Sequence, residues 1–376
     1  TGYRTRDMVA IPMHNHRDEI IGVLQLLNST NQDEGFPDEV IEHLQVLASQ
    51  AAVAIENSQL MQDIERLFEG FVLASVKAIE ARDPVTSGHS FRVADYTLAL
   101  AQALPHSTEF REVKWRDDQL KELRYAALLH DFGKVGVREH VLLKAQKLPP
   151  GRLELLLLRI DWLQEHLQRR YWQQKAHGAP VEWHQIERQL AELDYWKQLL
   201  EQANQPTILP TEVSEHLAHL VSATYDAPWG QTILDDEDFL RLSVTKGSLT
   251  EEERQEIQSH VLHSLAYLRE IPWTPELSAI PDIAAAHHEK LDGSGYPFGL
   301  RGDAIPLQSR MMTIADIYDA LTARDRPYKA AVPIDKALDI LMAEADRGLI
   351  DQRLLRIFIE SRAYQASHPD AYGQES

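Results

Sequence analysis

The sequence predicts a mainly α-helical protein with a short strand region at its N-terminal end. Three observations carry this. Helical spacing of apolar residues is sustained for about forty residues after Pro37. Almost everything from Phe71 onward keeps that spacing. Residues 1–36 read as strands, with apolar runs at Met8 to Met13 and Ile20 to Asn28 and with Asp18-Glu19 marking a turn before the second.

The elements follow in order. Between Asp38 and about Ala81 no Pro interrupts the chain, and apolar residues recur at Ile41, Leu44, Leu47, Ala48, Ala51 and Ile55, then at Leu60, Ile64, Leu67, Phe68 and Phe71. A helix of that length packs against a copy of itself or links two domains. Asp83-Pro84-Val85-Thr86-Ser87-Gly88 reads as a loop leading to His89, and the apolar helical run Tyr125 to Leu129 ends at His130-Asp131. The segments Arg152–His177 and Val181–Ala203 are amphipathic and separated by Gly178-Ala179-Pro180, the pattern of an antiparallel helical hairpin. The acidic run Asp235 to Asp238 is expected as a solvated loop. Thr250–Glu270 reads as a helix bearing His260, Ile283 to Ala286 leads into His287-His288, and the apolar helix Met311–Leu321 contains Asp316. A Gly/Pro-rich stretch, Asp292 to Pro306, separates the last two.

Composition narrows the chemistry. The length of 376 residues favours two or three domains. Without cysteine there is no disulfide framework, no thiolate nucleophile and no Cys-ligated zinc. The 58 acidic against 38 basic residues give a net charge of −20, which argues against binding a nucleic-acid polymer. A small anionic substrate in a locally positive pocket stays compatible with that charge. No apolar run approaches the roughly 20 residues of a membrane span, and no signal peptide is visible, so a cytoplasmic protein is expected. The chain begins at Thr1 rather than Met, and an upstream part is expected.

Seven residues stand out as polar groups in strategic or apolar contexts: His89, His130, Asp131, His260, His287, His288 and Asp316. Burying one His or Asp costs several kcal/mol unless it is paired or metal-bound. A lone one is an ordinary satisfied core group; seven together in a chain without cysteine point to a metal site. Lys134 follows His130 by one helical turn.

The motifs HDFGKVG (His130 to Gly136), HHEKLDGSGYPFGLRGDAIP (His287 to Pro306), ADIYDALTARDRPYK (Ala315 to Lys329) and EARDPVTSGHSFRVA (Glu80 to Ala94) resemble the HD-GYP family, a branch of the HD metal-dependent phosphohydrolases. RTRDMVAIPM, EIIGVLQLLN and GFPDEVIEHLQVLASQAAVAIENSQL resemble the second half of a GAF sensor domain. The resemblance implies a partial GAF domain over 1–60, a connecting helix over 61–82 and an all-helical HD-GYP domain over 71–148 and 246–370. About a hundred residues, 149–245, form a helical insertion that the family pattern lacks: a lid, a dimer element, a partner platform, or a solvated decoration.

The implied activity is hydrolysis of cyclic di-GMP to linear pGpG, which in many members goes on to GMP. The alternatives are an inactive HD-GYP module that senses the dinucleotide or docks a partner, and a hydrolase of another cyclic dinucleotide. The resemblance assigns metal ligation to His89, His130, Asp131, His260, His287, His288 and Asp316, with Asp131 bridging two divalent ions. Imidazole and carboxylate donors suit Fe or Mn first, with Zn or Ni as alternatives. Some members use a further carboxylate four residues before the first His; Val85 stands there, so two metals are expected. Lys134, Arg326 and Lys329 would contact substrate phosphate, and Gly295, Tyr296 and Pro297 would shape the loop beside it. Glu289 is expected to orient an imidazole, Asp319 is open between that role and acid catalysis, and His263 is expected to pack behind the site. His216 and His219 read as a surface pair. A homodimer through the GAF segment and connecting helix is expected.

Overall fold

The computed structural model describes residues 4–30, 35–83, 87–225, 227–230, 232–323 and 331–367. Val85, Asp325, Arg326 and Lys329 lie outside the described residues. Helix dominates, at 64%, with one two-stranded sheet. Compactness divides the chain into two units, residues 1–74 and 75–376.

In the first unit β1 (Met8–His14) pairs antiparallel with β2 (Ile20–Leu27), in a register that sets Ile11 against Leu24. Val9, Ile11, Met13, Leu24 and Leu26 form one apolar face, and α1 (Asp38–Arg82) covers it with Ile41, Leu44 and Ala48. Alternation in the strands and the i, i+3, i+7 spacing on the helix make this the predicted small α/β layer.

In the second unit the helices follow as α2 (His89–Ala103), α3 (Asp117–Leu129), α4 (Glu139–Leu142), α5 (Arg152–Ala176), α6 (Trp183–Ala203), α7 (Thr211–Ser222), α8 (Asp236–Leu242), α9 (Glu251–Gln258), α10 (His260–Arg269), α11 (Ile280–Ala285), α12 (Leu307–Thr322), α13 (Ile334–Asp346) and α14 (Gln352–Glu360). Helix α2 packs on α3 and α12, and α10 packs on α11 and on the 3₁₀ turn Phe132–Gly136. Helices α5 to α8 enclose a core of their own, from Leu148, Leu156 and Ile160 to Leu217, Leu234 and Leu242.

Two local expectations change. Thr250–Glu270 is two helices, not one, with the junction at Ser259. There the Ser259 hydroxyl donates to Glu256 O at 2.6 Å and His260 Nδ1 lies 2.6 Å from Ile257 O, so side chains engage carbonyls that a continuous helix would use. The acidic run is not a solvated loop either. Asp235 caps α8 by accepting from Asp238 N, and Asp238 is buried against Arg152 Nε and Nη2 at 2.8 and 2.7 Å. An acidic helix start is favoured by the helix dipole, and the distant Arg152 neutralises it. No helix among the described residues is long and apolar enough to cross a membrane.

Candidate metal centre

Five elements deliver the site. Gly88, at φ 67°, turns the chain so that His89 opens α2. His130 and Asp131 follow α3, His260 opens α10, His287 and His288 follow α11, and Asp316 sits within α12. Close approach at Gly133 brings these elements together. A Cβ there would lie 1.9 Å from His260 O and 2.3 Å from Ser264 N, so only glycine lets the turn reach α10. Ser264 Oγ locks the contact, donating to His130 O at 2.8 Å and accepting from Gly133 N at 2.7 Å.

The imidazoles form two groups with donor atoms within 4.8 Å of one another: His89, His130 and Asp131, and His260, His287 and His288. Both aspartates lie between the groups. Asp131 Oδ1 is 3.2 Å from His260 Nε2, and its Oδ2 is 3.5 Å from His130 Nε2 and 3.7 Å from His89 Nε2. Asp316 Oδ1 is 3.3 Å from His89 Nε2, and its Oδ2 is 3.8 Å from His288 Nδ1.

Proton positions follow from the outer hydrogen bonds. The Nδ1 atoms of His130, His260 and His287 each face the carbonyl three residues earlier, at 2.7, 2.6 and 2.6 Å. His89 Nδ1 faces Asp319 Oδ2 at 2.8 Å. A carbonyl or carboxylate can only accept, so each Nδ1 carries a proton, and a ring that is neutral aims a bare Nε2 lone pair inward. His89 Nε2 and His130 Nε2 stand 3.3 Å apart, and His260 Nε2 faces a carboxylate oxygen. The buried Nε2 atoms of His260 and His287 have no hydrogen-bond partner among the described residues. Acceptors converging on acceptors are costly unless a cation lies between them, and this imidazole-carboxylate donor set fits divalent metal ions.

Electrostatics set His89 apart from the other rings. Burial disfavours charge on it, but Asp316 and Asp319 overcome this and raise the imidazole to about 10, so without a metal it is charged at pH 7. Burial holds His130 and His287 below the usual imidazole range and His288 at about 4, so these rings stay neutral at pH 7. Despite burial, Asp131 is held well below the carboxylate range by Lys134, His130 and His260. Lys134 Nζ sits 2.7 Å from Asp131 Oδ2 and 3.3 Å from Asp83 Oδ2, and these two carboxylates outweigh burial to keep it charged.

The surrounding roles are partly new. Asp319 orients His89 rather than acting as an acid: it accepts from His89 and from Arg92 Nε and Nη2 at 2.7 and 3.0 Å, all three side chains buried. Glu289 does not orient an imidazole. Its buried carboxylate accepts from Phe298 N at 2.7 Å and Leu300 N at 2.9 Å, holding the loop that contains Gly295, Tyr296 and Pro297. The Tyr296–Pro297 bond is cis, and the Tyr296 ring lies 4.8 Å from that of His288. A Cβ on Gly295 would press into the Glu289–Lys290 backbone. His263 packs behind the turn, where a Cβ on Gly136 would meet its Nδ1. His216 Nδ1 pairs with Tyr195 Oη at 2.6 Å, away from the cluster. Sequence reasoning missed Arg92 and Asp83; their signal was only proximity to His89 in EARDPVTSGHSFRVA.

One HD-domain family model matches residues 86–178, another matches 214–354, and a GAF-domain model matches 1–55. The chain is an HD-domain protein of the HD-GYP type. This HD-GYP chain is 31% identical over 273 residues to 3'3'-cGAMP-specific phosphodiesterase 3 of Vibrio cholerae, covering 73% of the chain and 35% of that protein. A probable cyclic di-GMP phosphodiesterase of the same organism is 25% identical, with 74% and 41% covered. The cyclic di-GMP phosphodiesterase response regulator RpfG of Xanthomonas campestris is 49% identical over 81 residues, 22% of this chain and 21% of that one. The chain thus spans well under half the length of these curated relatives. A crystal structure of cyclic GMP-AMP specific phosphodiesterases from V. cholerae aligns at TM-score 0.37 and 14% identity, covering 80% of this chain and 52% of that one.

Proposed function

We propose that this HD-GYP chain is a divalent-metal-dependent phosphodiesterase that opens cyclic di-GMP to pGpG, with further hydrolysis to GMP left open. The observation that carries the reading is the gathering of five imidazoles around two carboxylates, three of them (His130, His260 and His287) with Nδ1 turned to a carbonyl and Nε2 turned inward. The names of the relatives, split between cyclic di-GMP and 3'3'-cGAMP, support a cyclic dinucleotide as the substrate class. His89, His130 and Asp131 would hold one ion and His260, His287 and His288 the other, with Asp316 between them; Fe or Mn suits the donors first, Zn or Ni next. Two such ions supply Lewis acidity to the phosphodiester and lower the pKa of water.

The chain's own residues supply the rest. Lys134 presents an ammonium for a substrate phosphate. Arg326 and Lys329, outside the described residues, are assigned phosphate contacts on the motif alone. From Glu289 to Lys329 six basic residues balance six acidic ones, so the segment is neutral while the chain is at −20. The loop Gly295-Tyr296-Pro297, held by Glu289, walls the site beside His288.

The same reading divides the chain into a GAF part over 1–60, a connecting helix over 61–82, the HD-GYP domain over 71–148 and 246–370, and an insertion over 149–245 with its own core. It also makes the protein a homodimer through α1. Val46, Val53, Leu60 and Leu67 recur every seven residues and are exposed, and Asn57 precedes exposed Ile64 by seven. That is a coiled-coil seam whose second row is polar at Gln50 and Asn57, and polar seam positions fix register in a two-stranded pairing.

The test is turnover. Protein purified anaerobically and loaded with Mn or Fe is incubated with cyclic di-GMP and, in parallel, 3'3'-cGAMP, and pGpG and GMP are followed. Hydrolysis of cyclic di-GMP that is lost in His130→Ala with Asp131→Ala supports the reading. No turnover of either at full metal occupancy overturns it and leaves the binding module. Hydrolysis of 3'3'-cGAMP alone overturns the substrate assignment.

A further inference from the structure

The C-terminal end of α1 carries three polar side chains that the proposed chemistry does not use, and each grips the frame of the metal centre. Glu80 accepts backbone hydrogen bonds from Gly88 and Ser90, on either side of His89. Arg82 donates Nη1 to Val135 O at 2.7 Å and Nη2 to Val137 O at 2.8 Å. Those carbonyls follow Lys134 on the same turn. Asp83, itself buried, takes the Lys134 ammonium at 3.3 Å while that ammonium also lies 2.7 Å from Asp131 Oδ2.

The arrangement poses a question of competition. Asp131 is shared between both imidazole groups, and a lysine bound to its Oδ2 opposes any metal ion that needs the same oxygen. A second carboxylate on the same ammonium relieves this by sharing its charge. Arg82 fixes the turn on which Lys134 rides.

We propose that Asp83 is a positioning residue for Lys134: it shares the ammonium with Asp131, which keeps Asp131 available for metal and sets Lys134 toward substrate phosphate. The substrate part rests on the phosphodiesterase reading; the metal part does not. Asp83 acts on the site through Lys134.

Manganese affinity, measured by calorimetry on EDTA-treated full-length protein without nucleotide, tests the first part. Asp83→Asn should weaken manganese binding by about tenfold, the low end for loss of an outer partner. In a Lys134→Met background the same substitution should have no effect, because the competing ammonium is gone. Asp83→Glu should recover most of the affinity. Circular dichroism and urea midpoints establish that each variant is folded. If hydrolysis is observed, Asp83→Asn should raise KM about tenfold more than it lowers kcat. Unchanged manganese affinity in folded Asp83→Asn overturns the proposal. So does an equal loss with and without the Lys134 side chain, which marks a merely structural role. Because the metal arm needs no substrate, it stands or falls apart from the phosphodiesterase reading.

Discussion

Asp319→Asn isolates the part of the centre that no ligand rule contains. Three donors converge on two oxygens: Arg92 Nε on Oδ1, and Arg92 Nη2 with His89 Nδ1 on Oδ2. Asparagine has the same shape but only one oxygen. Its better orientation keeps oxygen where two donors meet and turns the NH2 toward Arg92 Nε. One charge-assisted hydrogen bond is lost, worth about 1.5–3 kcal/mol, and Arg92, 1% exposed, keeps its charge with no counter-charge from residue 319. The expected loss of stability is therefore about 3 kcal/mol. In the other orientation the amide donates to His89 Nδ1, the ring proton moves to Nε2, and the inward lone pair disappears. Either way His89 is less well held, and metal affinity should fall about 10–100-fold. Manganese titration calorimetry, urea unfolding and nitrogen NMR of the His89 ring read the three consequences. Wild-type metal affinity together with an Nδ1-protonated His89 in Asp319→Asn would refute the argument that Asp319 orients this ring.

Three further outcomes are expected. Burial lowers Lys147 to about 8 from 10.5, a gap worth about 3 kcal/mol, with its Nζ on Leu242 O at 3.2 Å. The unfolded chain holds that proton up to the higher value, so between pH 8 and 10.5 it binds more protons and stability from this group rises with pH. Lys147→Met should stabilise by about 1–2 kcal/mol at pH 7 after the lost carbonyl contact, and the gain should shrink by pH 10 in urea denaturation; a destabilised variant at pH 7 contradicts this. Gly133→Ala must push α10 away from the turn, costing about 1–3 kcal/mol and lowering metal stoichiometry while the helical circular dichroism persists; normal stoichiometry would mean the approach is not needed. Leu60→Glu with Leu67→Glu should convert a dimer to a monomer in light scattering, and a monomeric wild type would remove the seam reading.

Much of this protein is legible along the chain, because helices and strands announce themselves by local periodicity. The long helix is expected from Asp38 to about Ala81 and runs to Arg82; the strands and the two hairpin helices fall within a few residues of their expected bounds. The motifs also named the histidines and aspartates that the fold gathers, since HD, HHE and the downstream Asp are each short and local. Charge runs were less legible: Asp238 looks solvated until Arg152, far off in sequence, is found against it. Which atom of each imidazole faces inward was hidden as well, because it depends on a carbonyl one turn back and, for His89, on Asp319 230 residues away. Glu289 shows the limit most clearly. Its place beside two histidines speaks for the metal, yet its oxygens turn to the backbone of the following loop. The sequence by itself determined the element types and the donor inventory, which depend on neighbours within a few residues. Only the tertiary structure decided which donors share a carboxylate, where Lys134 is held and why Gly133 has no side chain, because those depend on distances between segments far apart in the chain.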